Sequence, residues 1–277
     1  MLRLLRDRVL VSLAPAEISW LRLGGGFKRR VRAKRTIAID PAYGPEPWQG
    51  AVAALRAEAE AWRKDSVSVT IVLSNHFVRY VLVPPSDGVS GADEAHALAR
   101  FHFSKVHGER CRSWDVRLGD ARVSAPQLAC ATDAGLLPAL RACFPRQGRP
   151  RLVSVQPYLM SAFNCRRGQF PSRGGWLLLL EAERACVALI AGRHWVTVQN
   201  VKGSYARPED WVDLLDRERW RVNLEYVPET VLIHTPGPAD IALPHDGPWK
   251  LLVDNAFWPA GLTLPEDRGY AAALTAI

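Results

Sequence analysis

The chain has 277 residues and a formal net charge of +8, with 48% hydrophobic and 23% charged residues. That length allows one large core or two smaller ones, and the composition excludes wholesale disorder. No run reaches the ~18 uninterrupted apolar residues of a membrane span; the nearest, Trp176 to Leu189, is broken by Glu181, Glu183 and Arg184.

Taken in chain order, the pattern begins with three predicted strands. Arg8–Leu13 and Glu17–Leu23 flank the turn Ala14-Pro15-Ala16, and Gly24-Gly25-Gly26 turns the chain into a third strand, Phe27–Ile39. A helix follows, with Pro47 expected at its first position. Trp48, Val52, Leu55, Ala59 and Trp62 form its apolar stripe. Ser68–Leu73 and His76–Val83 read as strands, Asp93–Lys105 as a helix, and Trp114–Leu118 and Gln127–Ala131 as strands. Asp133 is a candidate cap for a helix through Leu136, Leu140 and Phe144. Arg151–Val155 reads as a strand and Pro157–Cys165 as a helix. Arg166–Gly175 is a linker by composition.

The pattern then restarts. Trp176–Leu180, Ala185–Ala191 and His194–Val201 are consecutive strands. A helix opens at Pro208-Glu209-Asp210, and strands Thr230–His234 and Trp249–Val253 follow. Three strands and then alternating helix and strand occur twice, which argues for two related α/β lobes. The expected division is residues 1–168 and 172–277, the second lobe being reduced.

Charge and cysteine usage narrow the setting. Residues 1–165 hold 24 Lys and Arg against 14 Asp and Glu, and the remainder holds 12 against 14. Such asymmetry points to an acidic partner, nucleic acid or anionic lipid for the first half. Its densest part is Lys28, Arg29, Arg30, Arg32, Lys34 and Arg35. This run is either a solvated strand edge guarded by charge or a docking surface. No recognition helix or RNA-binding sheet motif accompanies it, so nucleic acid is not the expected partner.

The five cysteines make no CxxC pair and read as buried or half-buried thiols in a reducing compartment. The residues from Met1 to Arg8 lack the apolar stretch and cleavage site of a signal peptide. His102, His107 and Cys111 have no known zinc spacing, and no metal is expected. Glu181 and Glu183, two apart on one predicted strand, would share a face as an acid–base pair or as solvated turn neighbours. No G-x-S-x-G elbow or G-x-x-x-x-G-K loop occurs, and no helix follows the triple glycine to receive a phosphate.

The opening hairpin, Val9 to Leu23, resembles that of pilus-assembly proteins of the PilM type and their relatives GspL and MshI. Arg151-Leu-Val-Ser-Val-Gln-Pro-Tyr-Leu-Met160 resembles the strand and helix closing the first lobe in that group, and Trp176–Trp195 the second-lobe hairpin. The resemblance implies an actin-like ATPase (ribonuclease H-like) α/β fold. It also implies a cytoplasmic protein held at the inner membrane by a PilN-type assembly protein, whose short cytoplasmic N-terminal segment it binds, with an assembly ATPase as a further partner. Phe77 and Tyr80, with Arg79 beside them, would form an aromatic wall of the peptide groove on the first lobe.

Nucleotide-binding members carry glycine and aspartate in both hairpins. Here the first hairpin offers Ser12, Ala14, Pro15 and Ala16, and the second Glu181 and Glu183. Proline has no amide for a phosphate, and two carboxylates repel one. The implied protein is a non-catalytic scaffold without cofactor; the alternatives are a member that binds ATP with magnesium through an unusual loop, and a basic nucleic-acid-binding protein.

Overall fold

The computed structural model describes residues 6–26, 29–40, 43–86, 88, 91–119, 125–236, 247–252 and 258–277. Its elements are β1 (Arg8–Leu13), β2 (Glu17–Leu23), β3 (Val31–Ala38), α1 (Gln49–Ala61), β4 (Ser68–Leu73), β5 (Arg79–Val83), α2 (Ala92–His107), β6 (Trp114–Leu118), β7 (Gln127–Asp133) and α3 (Leu136–Ala142). There follow β8 (Arg151–Pro157), α4 (Tyr158–Arg166), β9 (Gly175–Glu181), β10 (Arg184–Ala191), β11 (His194–Lys202), α5 (Pro208–Arg221), β12 (Thr230–His234), β13 (Lys250–Leu252) and α6 (Ala271–Leu274). They fall into two compact units. One is Met1–Phe77 with Gly135–Arg166 and Ala256–Ile277; the other is Val78–Ala134 with Arg167–Asn255.

The first unit is built on a sheet ordered β3-β2-β1-β4-β8. β1 pairs antiparallel with β2 and parallel with β4, and β4 pairs parallel with β8. A parallel neighbour needs a crossover, which α1 supplies. Val9, Leu10, Val11 and Leu13 are all buried, as expected of a central strand covered on both faces. The stripe on α1 buries Val52, Leu55, Ala59 and Trp62, and Trp62 meets Trp20 of β2 edge to face at 5.3 Å. Trp48 is the N-cap and its carbonyl accepts from the Val52 amide, so Pro47 stands just before the helix rather than inside it. On β1, β2 and β4 lies α6, whose four residues are all buried; the nearby Thr275 hydroxyl donates to Ser161 of α4 at 2.7 Å.

The second unit repeats the plan with the order β11-β10-β9-β12-β13, again three antiparallel strands and then parallel ones. Pro208 opens α5, and Trp211, Leu214 and Leu215 pack on Trp176, Leu178, Val187 and Ile233. This unit also holds an antiparallel sheet, β5-β7-β6, under α2, where Ala99 and Phe103 meet Val81, Val116 and Ala129. Asp133 ends β7 and the helix starts from Gly135; the expected Asp133 cap is corrected, since its backbone is still paired in the strand. The strand expected from His76 begins at Arg79 because the Phe77 amide turns back to the Ser74 carbonyl. Val253, the expected end of the last strand, lies outside the described residues.

Candidate functional site

The first hairpin is closed by its own hydrogen bonds. The Ala14 amide donates to the Glu17 carbonyl at 3.0 Å, and the Ile39 amide to the Ala16 carbonyl at 2.7 Å. Pro15, between them, has no amide to offer. Ser12 faces Ser19 across the ladder and Val72 on β4. The Ser74 amide caps the Leu13 carbonyl at 2.9 Å. A phosphate needs convergent free amides or a metal-bearing carboxylate; here the Ala14 amide is spent, Pro15 has none, and positions 12 to 16 hold no carboxylate.

The second hairpin corrects one expectation. Glu181 and Glu183 do not stand two apart on a strand, because Glu181 ends β9 and Ala182-Glu183 form a two-residue turn. Glu183 has φ 56°, which the turn requires and which removes it from the strand face. Glu181 stands opposite Arg184, whose guanidinium donates to Asn200 at 3.2 Å; Asn200 in turn donates to the Val78 carbonyl at 2.8 Å. Burial pulls the Arg184 pKa down, and the Glu181 carboxylate partly restores it. Thus Glu181 serves an arginine, and among the described residues no group of three potential metal ligands exists. Neither hairpin fits a nucleotide triphosphate with its metal.

The basic run resolves into individual roles. Lys28 lies outside the described residues. Successive side chains of β3 reach carboxylates contributed by different elements: Lys34 donates to Asp267 at 2.6 Å, and Arg35 to Glu58 of α1 at 2.8 Å. Glu58 also accepts from the Trp20 indole at 2.9 Å. Arg32 pairs at 3.3 Å with Asp7, which accepts from Arg22 at 2.8 Å and from the Gly25 amide at 3.1 Å. Arg30 forms a bridge with Ala260, and the Val31 amide donates to the Ala260 carbonyl at 2.9 Å. Arg29 lines a cavity with the triple glycine. The sequence pattern does not mark Asp7 and Asp267 as partners of the run, whereas Glu58 carries a signal, since it directly precedes Ala59 of the apolar stripe.

Asp267 yields a pH prediction. Burial alone would raise its pKa, but the Lys34 ammonium and the Thr263 amide, 2.7 Å away, hold it below the usual carboxylate range. A folded-state pKa below the unfolded one contributes stability above the unfolded value, about 4, that fades as pH falls through the folded value. Denaturant unfolding between about pH 5 and 2 is expected to show this loss. Asp267→Asn should flatten part of that slope; an unchanged slope would mean the pair contributes nothing.

Phe77 and Tyr80 are only 7% and 8% exposed, so they do not form the open aromatic wall expected of them. Arg79 is half-buried and donates to the Val78 carbonyl at 3.1 Å, its pKa pulled down by burial and then by Arg184. The thiols also differ from expectation at one place. Cys165 is exposed, whereas Cys111, Cys143 and Cys186 are buried, and burial pushes Cys130 up to about 11. His107 packs on Trp114 at 5.0 Å and the Cys111 thiol donates to the Gly108 carbonyl, so these residues serve their own unit.

Each unit is built on a sheet of the same strand order, and solved structures match the chain over most of its length. The cytoplasmic domain of EpsL, an inner-membrane component of the Vibrio cholerae type II secretion system, superposes with a TM-score of 0.56 at 16% identity. The match covers 97% of this chain and 95% of that one. The chain has an actin-like fold. A Bacteroides thetaiotaomicron protein of actin-like ATPase fold and unknown function matches with a TM-score of 0.56 at 9% identity, over 87% and 85% of the chains. A PilM–PilN type IV pilus biogenesis complex matches with 0.56 at 16% identity, over 82% and 81%. The neighbours include a PilM, one of the types that the opening hairpin resembles, and a type II secretion protein. No protein-family model matches, and no curated protein does.

Proposed function

We propose that this actin-like chain is a non-catalytic scaffold of type IV pilus biogenesis or type II secretion, binding the cytoplasmic segment of a PilN-type inner-membrane protein. The carrying observation is the first hairpin, where the Ala14 amide is spent on Glu17 and Pro15 has none. The likeness to EpsL and to PilM in its complex with PilN supports the setting. Among the described residues no helix is long and apolar enough to cross a membrane.

The partner surface we propose is the edge of β3, an outer strand of its sheet. An edge offers main-chain groups to an added strand, and Arg30, Arg32 and Arg35 give it a positive rim for an acidic segment. No recognition helix or RNA-binding sheet motif accompanies this rim, which favours an acidic protein segment over nucleic acid.

Calorimetric titration with ATP and magnesium is expected to give no heat and no thermal stabilisation at millimolar nucleotide. Micromolar binding would overturn the scaffold reading. Peptides covering the cytoplasmic N-termini of single-pass inner-membrane proteins of the source organism should include one that binds. Arg30→Glu with Arg32→Glu should weaken it at least about tenfold, since charge reversal acts on both encounter and affinity.

A further inference from the structure

Independently of that reading, we infer that the first unit carries an anion site for a compact soluble ligand bearing two or more phosphoryl groups. It is a cavity of about 470 Å³ lined by Arg6, Arg8, Arg29, Arg149 and Arg151 around the Gly24–Gly26 turn.

Its location follows from the sheet. Arg8 and Arg151 open the parallel strands β1 and β8, and each stands in register with Ser68, which opens β4 between them. All three residues line the cavity. The strand starts therefore gather two guanidiniums and a hydroxyl at the end of the sheet opposite the Ala14–Ala16 hairpin. Arg149 precedes β8, and Arg29 arrives from the turn between β2 and β3.

The electrostatics are one-signed. Among the described residues none of the five arginines pairs with a carboxylate, and no carboxylate lines the cavity. The nearby Asp7 is already taken by Arg22, Arg32 and the Gly25 amide. Arg8 spends one N–H on the Ala276 carbonyl at 2.8 Å; burial, then the Arg29 guanidinium, pull its pKa down. Like charges held this close are unfavourable until an anion enters, and guanidiniums bind phosphoryl oxygens bidentately. Five of them exceed the charge of one phosphate, and the volume is that of a small-molecule pocket. Three glycines let the backbone approach such a ligand closely.

Tripolyphosphate is the probe. Titration of the full chain near physiological salt should show saturable one-to-one binding. Arg149→Ala with Arg151→Ala, both at exposed positions, should weaken it at least tenfold. Arg63→Ala with Arg112→Ala, which removes as much charge elsewhere, should leave it unchanged. Arg151→Lys should fall between, because the charge stays and the planar fork is lost. Absence of saturable binding would overturn the proposal, as would equal weakening by the control pair. Retention on phosphatidylcholine–cardiolipin vesicles without tripolyphosphate binding would also overturn it, in favour of a lipid surface. Folding of each variant is checked by its unchanged unfolding midpoint.

Discussion

Gly174→Ala should destabilise the second unit by roughly 3 kcal/mol or more, the range of strained backbone plus a steric clash. Gly174 has φ 96°, and a Cβ there would lie 1.9 Å from the Ile190 carbonyl oxygen and 2.8 Å from the Ala191 Cα. These are backbone atoms at the end of β10, and Ile190 is paired with Gly175. Relief would require opening the β9–β10 ladder where Trp176 enters the core. Gly192 is the control: its φ is 55°, but a Cβ meets nothing within 4 Å. Gly192→Ala should therefore cost only about 1 kcal/mol, the ordinary left-handed penalty. Urea unfolding followed by tryptophan fluorescence measures both. Similar losses would show that the strand end yields and that close approach does not govern Gly174.

Glu58→Ala should be the most costly change in the first unit's polar interior, at about 2–3 kcal/mol. The carboxylate is buried on α1 and accepts from the Trp20 indole and the Arg35 guanidinium at once. Its removal strands a buried indole N–H, while Arg35, 61% exposed, can turn to water. Most of the loss therefore belongs to the indole. Glu58→Gln, which keeps an acceptor, should lose less than half as much, and Arg35→Ala under about 1 kcal/mol. If Arg35→Ala matched Glu58→Ala, the ion pair would be the principal support and the assignment to Trp20 would fail.

The repeated architecture was legible because period-two and period-3.6 patterns follow from which faces are buried. Trp114–Leu118 forms a strand with the bounds its pattern implies, and Val52, Leu55, Ala59 and Trp62 are buried as their spacing implies. The hairpin defects at Pro15 and Glu183 were visible as residue types. What was not legible depended on register and distance along the chain. Asp267 meets Lys34 from the far end of the sequence, and β3 alone gives no hint of it. The arginine cavity needed the alignment of Arg8, Ser68 and Arg151, which becomes apparent only once β1, β4 and β8 are known to be parallel neighbours. Burial of Phe77 and Tyr80 was equally hidden, since an aromatic in a short strand segment serves a groove or a core with the same sequence signature.

α6 covers β1, β2 and β4, the Arg8 guanidinium holds the Ala276 carbonyl, and Asp267 receives Lys34. The strands these contacts complete are translated before the second unit, whereas the residues that complete them are translated after it. On the ribosome the first sheet must wait with one face uncovered while the second unit is made.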